Sequence, residues 1–147
     1  MGLDSGLNRY EEEHPPYEFT LTRKSGSCRR VKLLLDTCTF MGLAEGDARR
    51  SAQVFLSASS AWEISLKHAL GKLPLAESPQ ESISHMRHLH QLESLPVSED
   101  DAVRAGRLPL LHRDPFDRLL VGQAVGQACV LLTPDPLIEQ YSVPVLW

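Results

Sequence analysis

Four acidic residues stand where runs of small or apolar residues give way to a turn or a helix. Asp36 ends Val31-Lys-Leu-Leu-Leu35, Glu63 follows Val54-Phe-Leu-Ser-Ala58, Asp117 closes Asp114-Pro-Phe-Asp117, and Asp135 follows Val130-Leu-Leu-Thr133. Carboxylates gathered in this way can hold a hard divalent cation, Mg²⁺ or Mn²⁺, through oxygen ligands and several waters. A site of that kind activates water and stabilises charge on a phosphodiester during in-line attack.

Three of the four also have a purely structural reading. Ser60-Ala-Trp-Glu63 and Asp114-Pro-Phe-Asp117 match the capping box, in which the third-position acid bonds backbone N–H groups. Glu63 can pair with Lys67 one helical turn on. Asp135-Pro136 reads as a helix N-cap followed by proline. What favours chemistry is recurrence: with Asp36, all fall at the sheet edge where strands pass into helices, and in open α/β sheets ligands gather there.

Other candidate ligands are weaker. His85, His88 and His90 crowd one helix, and His85 and His88 share a face, but no acid or cysteine completes a zinc set. His112 and Arg113, beside Asp114, are placed for phosphate contact. Lys67 and Arg118, with Arg49 and Arg50, are further phosphate candidates, since cations near the acids could receive a polyanionic substrate. Cys38, two residues after Asp36, has no histidine base nearby in sequence and reads as a packed thiol.

The elements that must position the acids follow in chain order. Residues 1–30 are polar, rich in turn residues and without period, and are expected to be a disordered leader, with Tyr17–Thr22 the one stretch that alternates. The folded domain is expected over 31–147. Val31–Leu35 has no polar alternation after Lys32, as in a strand covered on both faces of a parallel sheet. Residues 38–52 leave room for one helix and a short fragment, broken at Gly46-Asp47.

A second strand over Val54–Ser57 precedes a helix from about Ala61 to Leu70, stopped by Gly71. Trp62, Leu66, Ala69 and Leu70 follow helical spacing and are expected on its buried face. Ser78-Pro79-Gln-Glu81 starts a helix with Ile83, Met86 and Leu89 inward, and Ser98-Glu-Asp-Asp101 caps another. Leu95-Pro-Val97 reads as a short extended link or strand. A loop over 108–113 delivers Asp114 and Asp117, and a helix from Pro115 to about Ala128 carries small residues for close packing. A strand over Val130–Thr133, a short helix from Pro136 and Val143–Trp147 complete the chain. Alternating βα units imply a parallel sheet flanked by helices.

At 147 residues, 42% hydrophobic and 23% charged, the chain suits one soluble domain. It shows neither a signal-peptide pattern nor a membrane span, and a cytoplasmic location is expected. Cys28, Cys38 and Cys129 lack CxxC spacing and are read as free thiols. The net charge of −4 excludes a generally basic nucleic-acid binder. Residues 1–30 are charge-balanced, so the excess lies in 31–147 and equals the four candidate carboxylates.

The segments Leu-Leu-Leu-Asp36-Thr, Ser57-Ala-Ser-Ser-Ala-Trp-Glu63-Ile-Ser-Leu-Lys67, Leu-Gly71-Lys-Leu-Pro, His112-Arg-Asp-Pro-Phe-Asp117-Arg-Leu-Leu-Val, Leu-Leu-Thr133-Pro-Asp135 and Val-Pro-Val-Leu-Trp147 together resemble PIN-domain ribonucleases, and among them VapC-type toxins of bacterial toxin–antitoxin pairs. The resemblance spans Val31 to Trp147. It implies a three-layer α/β/α PIN-like domain with a mostly parallel central sheet, cleaving RNA with Mg²⁺ or Mn²⁺. By position Asp36 and Asp117 match the principal metal-binding acids, and Glu63 and Asp135 complete a catalytic quartet. Asp114 fits a helix cap. Family substrates are often tRNA or ribosomal RNA, and the toxins are commonly homodimers silenced by an antitoxin. Residues 38–52 are shorter than the corresponding family segment, and the leader lies outside the pattern.

Two other classes compete. One is a catalytically weak PIN-like module that binds RNA or an antitoxin without cutting. The other is a different acid–metal enzyme, such as a DNA nuclease. A haloacid-dehalogenase-type phosphatase wants a second aspartate two residues after the first, and position 38 is cysteine.

Overall fold

In the computed structural model, which describes residues 31–42 and 52–147, five strands form one sheet in the order β3-β2-β1-β4-β5. They are β1 (Val31–Leu35), β2 (Ala52–Ser57), β3 (Glu93–Leu95), β4 (Val130–Leu132) and β5 (Val145–Leu146), and every pairing is parallel. The connections are α1 (Thr37–Met41), α2 (Ala58–Ala69), α3 (Pro79–His90), α4 (Glu99–Arg107) and α5 (Pro115–Gln127), with a 3₁₀ turn over Ile138–Gln140 before β5. The expected leader and the break at Gly46-Asp47 lie outside the described residues.

The leucines of β1 are apolar on consecutive positions because both faces are covered. Leu33 and Leu35 pack with Phe40, Val54, Leu56, Ile64 and Leu92, beneath the α1–α3 layer. Leu34 points the other way, to Leu120, Val121 and Ala124 of α5, with Leu131 of β4 and Ile138 of the 3₁₀ turn in the same cluster. Burying each of these leucines contributes roughly 1.5–3 kcal/mol. β1 is thus the central strand of a three-layer α/β/α sandwich, and its carboxyl end, carrying Asp36, opens between the layers.

Expected caps appear at three helices. Ser78 with Glu81 and Ser98 with Asp101 form full capping boxes, and Asp114 Oδ1 accepts from the Phe116 N–H at 2.8 Å. Gly71 takes φ 69° just beyond α2, a conformation that favours glycine.

Two expected buried faces are corrected. Trp62 is 60% exposed, Leu66 and Leu70 are exposed, and Ala69 lies outward with them. The inward side of α2 carries Ser59, Ser60, Glu63 and Ile64 instead. Small serines let the first turn of α2 lie close to its neighbours, and Glu63 is turned towards the carboxyl end of the sheet, so hydrophobic spacing chose the wrong side. Trp62 still meets Phe116 of α5 edge-on, with ring centroids 4.8 Å apart. In α3, Ile83 and Met86 pack against the core as expected, but Leu89 is exposed and His90 is buried in its place.

The small residues of α5 serve its contact with α4. A Cβ on Gly122 would lie 3.0 Å from the Asp101 carbonyl and 3.1 Å from the Ala105 nitrogen, both backbone atoms. A Cβ on Gly126 would meet the end of the Arg104 side chain, which can swing away. Gly122→Ala is expected to destabilise by about 1–2 kcal/mol, overpacking outweighing the roughly 1 kcal/mol gain in helix propensity. Gly126→Ala should be nearly neutral or stabilising. Urea denaturation of both variants checks this contrast, and equal effects would refute the close α4–α5 contact.

Candidate active site

The strand order reverses direction beside β1: the chain moves outward through β2 and β3, then returns to the other side of β1 as β4. Asp36 leaves the tip of β1 and Asp135 lies just past β4, so both flank the crevice that this switch creates. α2 brings Glu63 from one side and α5 brings Asp117 from the other. The resulting cleft, about 220 Å³, is lined by Asp36, Thr37, Cys38, Glu63, Lys67, Asp114, Asp117, Pro134, Asp135 and Pro136. All four acids singled out in the sequence therefore meet in one place.

Each acid is held by specific partners. Asp36 caps α1 by accepting from the Thr39 N–H at 2.5 Å, and its other oxygen accepts from the Thr133 hydroxyl. Glu63 accepts from the Thr37 hydroxyl and pairs with Lys67 Nζ at 2.5 Å. Across the cleft, His112 Nε2 lies 2.8 Å from Asp135 Oδ2 and 3.3 Å from Asp117 Oδ2. Asp135 Oδ1 accepts from the Leu137 N–H at 2.8 Å.

This geometry resolves the capping alternatives. Ser57, not Ser60, is the N-cap of α2, so Glu63 sits within the helix and is no cap. Ser60 Oγ is buried without a hydrogen-bond partner among the described residues. Asp117 does not close a capping box either, because the Asp114 N–H that it would accept from donates to His112 Nδ1 at 3.1 Å. Asp114 alone caps α5, as expected, while Asp135 both restrains its own turn and faces the cleft.

Burial, with crowding added, raises the proton affinity of two of the acids, Asp117 and Asp36. Burial pushes the Asp117 carboxyl up to about 7, and nearby Asp114, Glu63 and Asp135 add to the rise while His112 opposes it. Burial likewise raises Asp36, against the lowering effect of its threonine hydrogen bonds, with Glu63 adding a smaller push. Excess negative charge at an all-oxygen set of acids fits a hard divalent cation. Asp36, Glu63, Asp117 and Asp135, which line the cleft together, are the residues that could hold it.

Several side chains fall elsewhere than expected. Cys38 is exposed at the cleft rather than packed, and burial of its thiol together with nearby Asp36 raises its proton affinity, which disfavours a thiolate nucleophile. Lys67 lines the cleft, tied to Glu63, and Arg113 is exposed immediately before the cleft-lining Asp114. Arg118, expected to contact phosphate, is only 9% exposed. Its guanidinium donates to the carbonyls of Ala105, Leu108, Pro109 and His112 and to Tyr141 Oη. Arg49 and Arg50 lie outside the described residues. His85 and His88 are exposed on α3. His112, read from sequence as a phosphate contact, instead joins Asp117 and Asp135; its position two residues before the Asp114 cap was the available signal.

Fold and site together define a three-layer α/β/α domain with an acidic cleft at the carboxyl end of its parallel sheet. Similar folds occur in solved structures, among them three complexes. A chain of VapBC2 from Rickettsia felis bound to a DNA fragment from their promoter aligns with TM-score 0.59 and 14% identity, covering 80% of this chain and 99% of that one. A chain of DNA-bound VapBC from Salmonella typhimurium aligns with TM-score 0.57 and 17% identity, covering 79% and 97%. A chain of a toxin–antitoxin complex from Klebsiella pneumoniae aligns with TM-score 0.53 and 18% identity, covering 78% and 95%. No family model matches the sequence, and no curated protein matches it.

Proposed function

We propose that this protein is a metal-dependent endoribonuclease, the toxin of a toxin–antitoxin pair, hydrolysing RNA phosphodiester bonds at the Asp36–Glu63–Asp117–Asp135 cleft. The observation that carries this reading is the convergence of four acids from β1, α2, α5 and the β4 end on one crevice of the sheet. Burial, with the neighbouring acids adding to it, drives the Asp117 carboxyl to about 7, and a bound cation relieves that cost.

Mg²⁺ or Mn²⁺ held there would supply Lewis-acid polarisation of a phosphoryl oxygen and acidify a bound water. The chain's own residues do the positioning. Thr133 and Thr39 fix both oxygens of Asp36, and Thr37 and Lys67 fix Glu63, so these two acids lose little freedom when the site fills. Lys67, which lines the cleft, carries the positive charge best placed to meet an RNA phosphate, and Arg113 is exposed beside the cleft-lining Asp114.

An antitoxin partner is supported by the toxin–antitoxin complex among the similar folds. The uncovered apolar residues Trp62, Leu66 and Leu70 on α2 support a protein partner, whether antitoxin or second copy. The substrate class is RNA, with tRNA or ribosomal RNA as targets, and the protein works in the cytoplasm as a homodimer. No helix among the described residues is long and apolar enough to cross a membrane.

The deciding experiment is cleavage of total RNA by the purified protein in Mg²⁺, Mn²⁺ or EDTA, with a single-stranded DNA competitor. Metal-dependent cutting of RNA is expected, and Asp36→Asn should reduce it by at least about 10²-fold. Folded protein that binds RNA but cuts under neither metal would move the assignment to a binding module, and preferential cutting of DNA would move it to a DNA nuclease. In parallel, Mn²⁺ at about 100 times its Kd should stabilise the fold by roughly 2.7 kcal/mol, read as a rise in Tm.

A further inference from the structure

His112, Asp117 and Asp135 place three potential ligand atoms within 4.8 Å of one another, the grouping expected of a mixed nitrogen–oxygen metal site. The hydrogen bonds around the ring contradict that assignment. His112 Nδ1 accepts from the Asp114 backbone N–H at 3.1 Å. An accepting imidazole nitrogen carries no proton, so the ring proton sits on Nε2, the nitrogen that faces the two carboxylates. A protonated ring nitrogen has no lone pair to offer a cation.

We infer that His112 is a positioning residue: its Nε2–H donates to Asp135 Oδ2 at 2.8 Å and stands 3.3 Å from Asp117 Oδ2 as an electrostatic neighbour, which holds these acids together at the cleft without the ring itself ligating the cation. This rests on the metal-site reading above and makes the site one of oxygen donors only.

The ring cannot easily adopt the opposite arrangement. Its backbone N–H donates to Tyr141 Oη at 2.9 Å, and its carbonyl accepts from Arg118 at 3.4 Å. Tyr141 Oη in turn donates to the Pro109 carbonyl at 3.0 Å. With the backbone fixed on both sides, flipping the ring would turn carbon atoms towards the Asp114 amide and the carboxylates, losing both contacts. Moving the proton to Nδ1 would set it against the Asp114 N–H. One N–H bonded to Asp135 therefore also stands beside Asp117, and it is supplied by a residue whose backbone is held by Tyr141 and Arg118. Oxygen-only coordination also favours Mg²⁺ and Mn²⁺ over metals that prefer imidazole.

Long-range ¹H–¹⁵N correlation of the histidine rings in the labelled full chain reads the tautomer directly, with the His112 signals assigned by their absence in His112→Gln. The expected pattern has Nε2 protonated without metal and still protonated when Mg²⁺ saturates the site. A proton on Nδ1, or loss of the Nε2 proton on Mg²⁺ binding, overturns the inference. Calorimetric titration with Mn²⁺ supplies the second readout on variants checked for folding. His112→Gln, which keeps an N–H donor at similar reach, should bind within about threefold of the parent, and His112→Ala should bind about tenfold or more weakly. Any other ordering, including equal loss in both or no loss in alanine, overturns it. A parent protein that binds no Mn²⁺ removes the metal-site reading, whereas the ring spectrum without metal still decides whether His112 bridges the two acids.

Discussion

Asp117→Asn is expected to abolish metal-dependent RNA cleavage, by at least about 10²-fold, while leaving the metal-free protein as stable as the parent or more so. The variant keeps the size of the side chain and removes the charge that burial disfavours and that Asp114, Glu63 and Asp135 oppose. Its effect on stability depends on pH in a way that a simple cap would not show. In the folded protein the carboxyl titrates at about 7 against an ordinary value of 3.8. Between those values the native state holds a proton that the unfolded chain has released. Parent stability therefore falls as pH rises through that window, by an amount on the order of a few kcal/mol. Below the window both states are protonated and the penalty vanishes.

The asparagine variant lacks this proton and should lose much of the slope, so the two proteins diverge in stability towards neutral pH. Burial of Asp36 acts in the same direction and leaves a residual slope in the variant. Denaturation midpoints measured from pH 4 to 8 in EDTA test the claim, and parallel curves for parent and variant would refute the crowded-carboxylate account. Adding Mn²⁺ should stabilise the parent most at the alkaline end and the variant little at any pH.

Replacing Arg118 by methionine should destabilise the fold by about 3 kcal/mol or more, without any need for RNA to be present. The side chain is buried, and its guanidinium spans four backbone carbonyls and a tyrosine hydroxyl that close the loop between α4 and α5. Removing it strands these acceptors, each at roughly 1 kcal/mol or more where water cannot replace the donor. Lysine should rescue poorly, since one ammonium cannot reproduce the planar fan of donors.

The same substitution separates two roles for the residue. A phosphate contact would leave the urea midpoint unchanged and reduce the salt dependence of RNA binding by about one unit of slope. A loop fastener lowers the midpoint. A normal midpoint for Arg118→Met would overturn the structural role assigned here. Because Arg118 also holds the His112 carbonyl, its loss should loosen the carboxylate pair opposite Asp36 and weaken metal binding as a secondary effect.

The amino-acid sequence by itself determined the elements and the chemistry they carry. An uninterrupted Leu33–Leu35 required cover on both faces, and the two packed layers supply it. Local signals such as the Ser78 and Ser98 boxes, the Asp114 cap and the Gly71 turn act within a few residues, so they were legible without any knowledge of the fold. The four acids were legible because each stands at the end of such an element, and parallel topology brings strand ends to one edge. Tertiary structure decided what depends on partners far along the chain. Glu63 faces the cleft because Thr37 meets it from 26 residues away, which turned the apolar Trp62–Leu70 row outward against its hydrophobic spacing. Arg118 became a buried fastener and His112 a bridge between acids because Tyr141 and Asp135 reach them across 23 residues. Periodicity and capping patterns contain no such distances: which polar group meets which is set only when the layers close over the sheet.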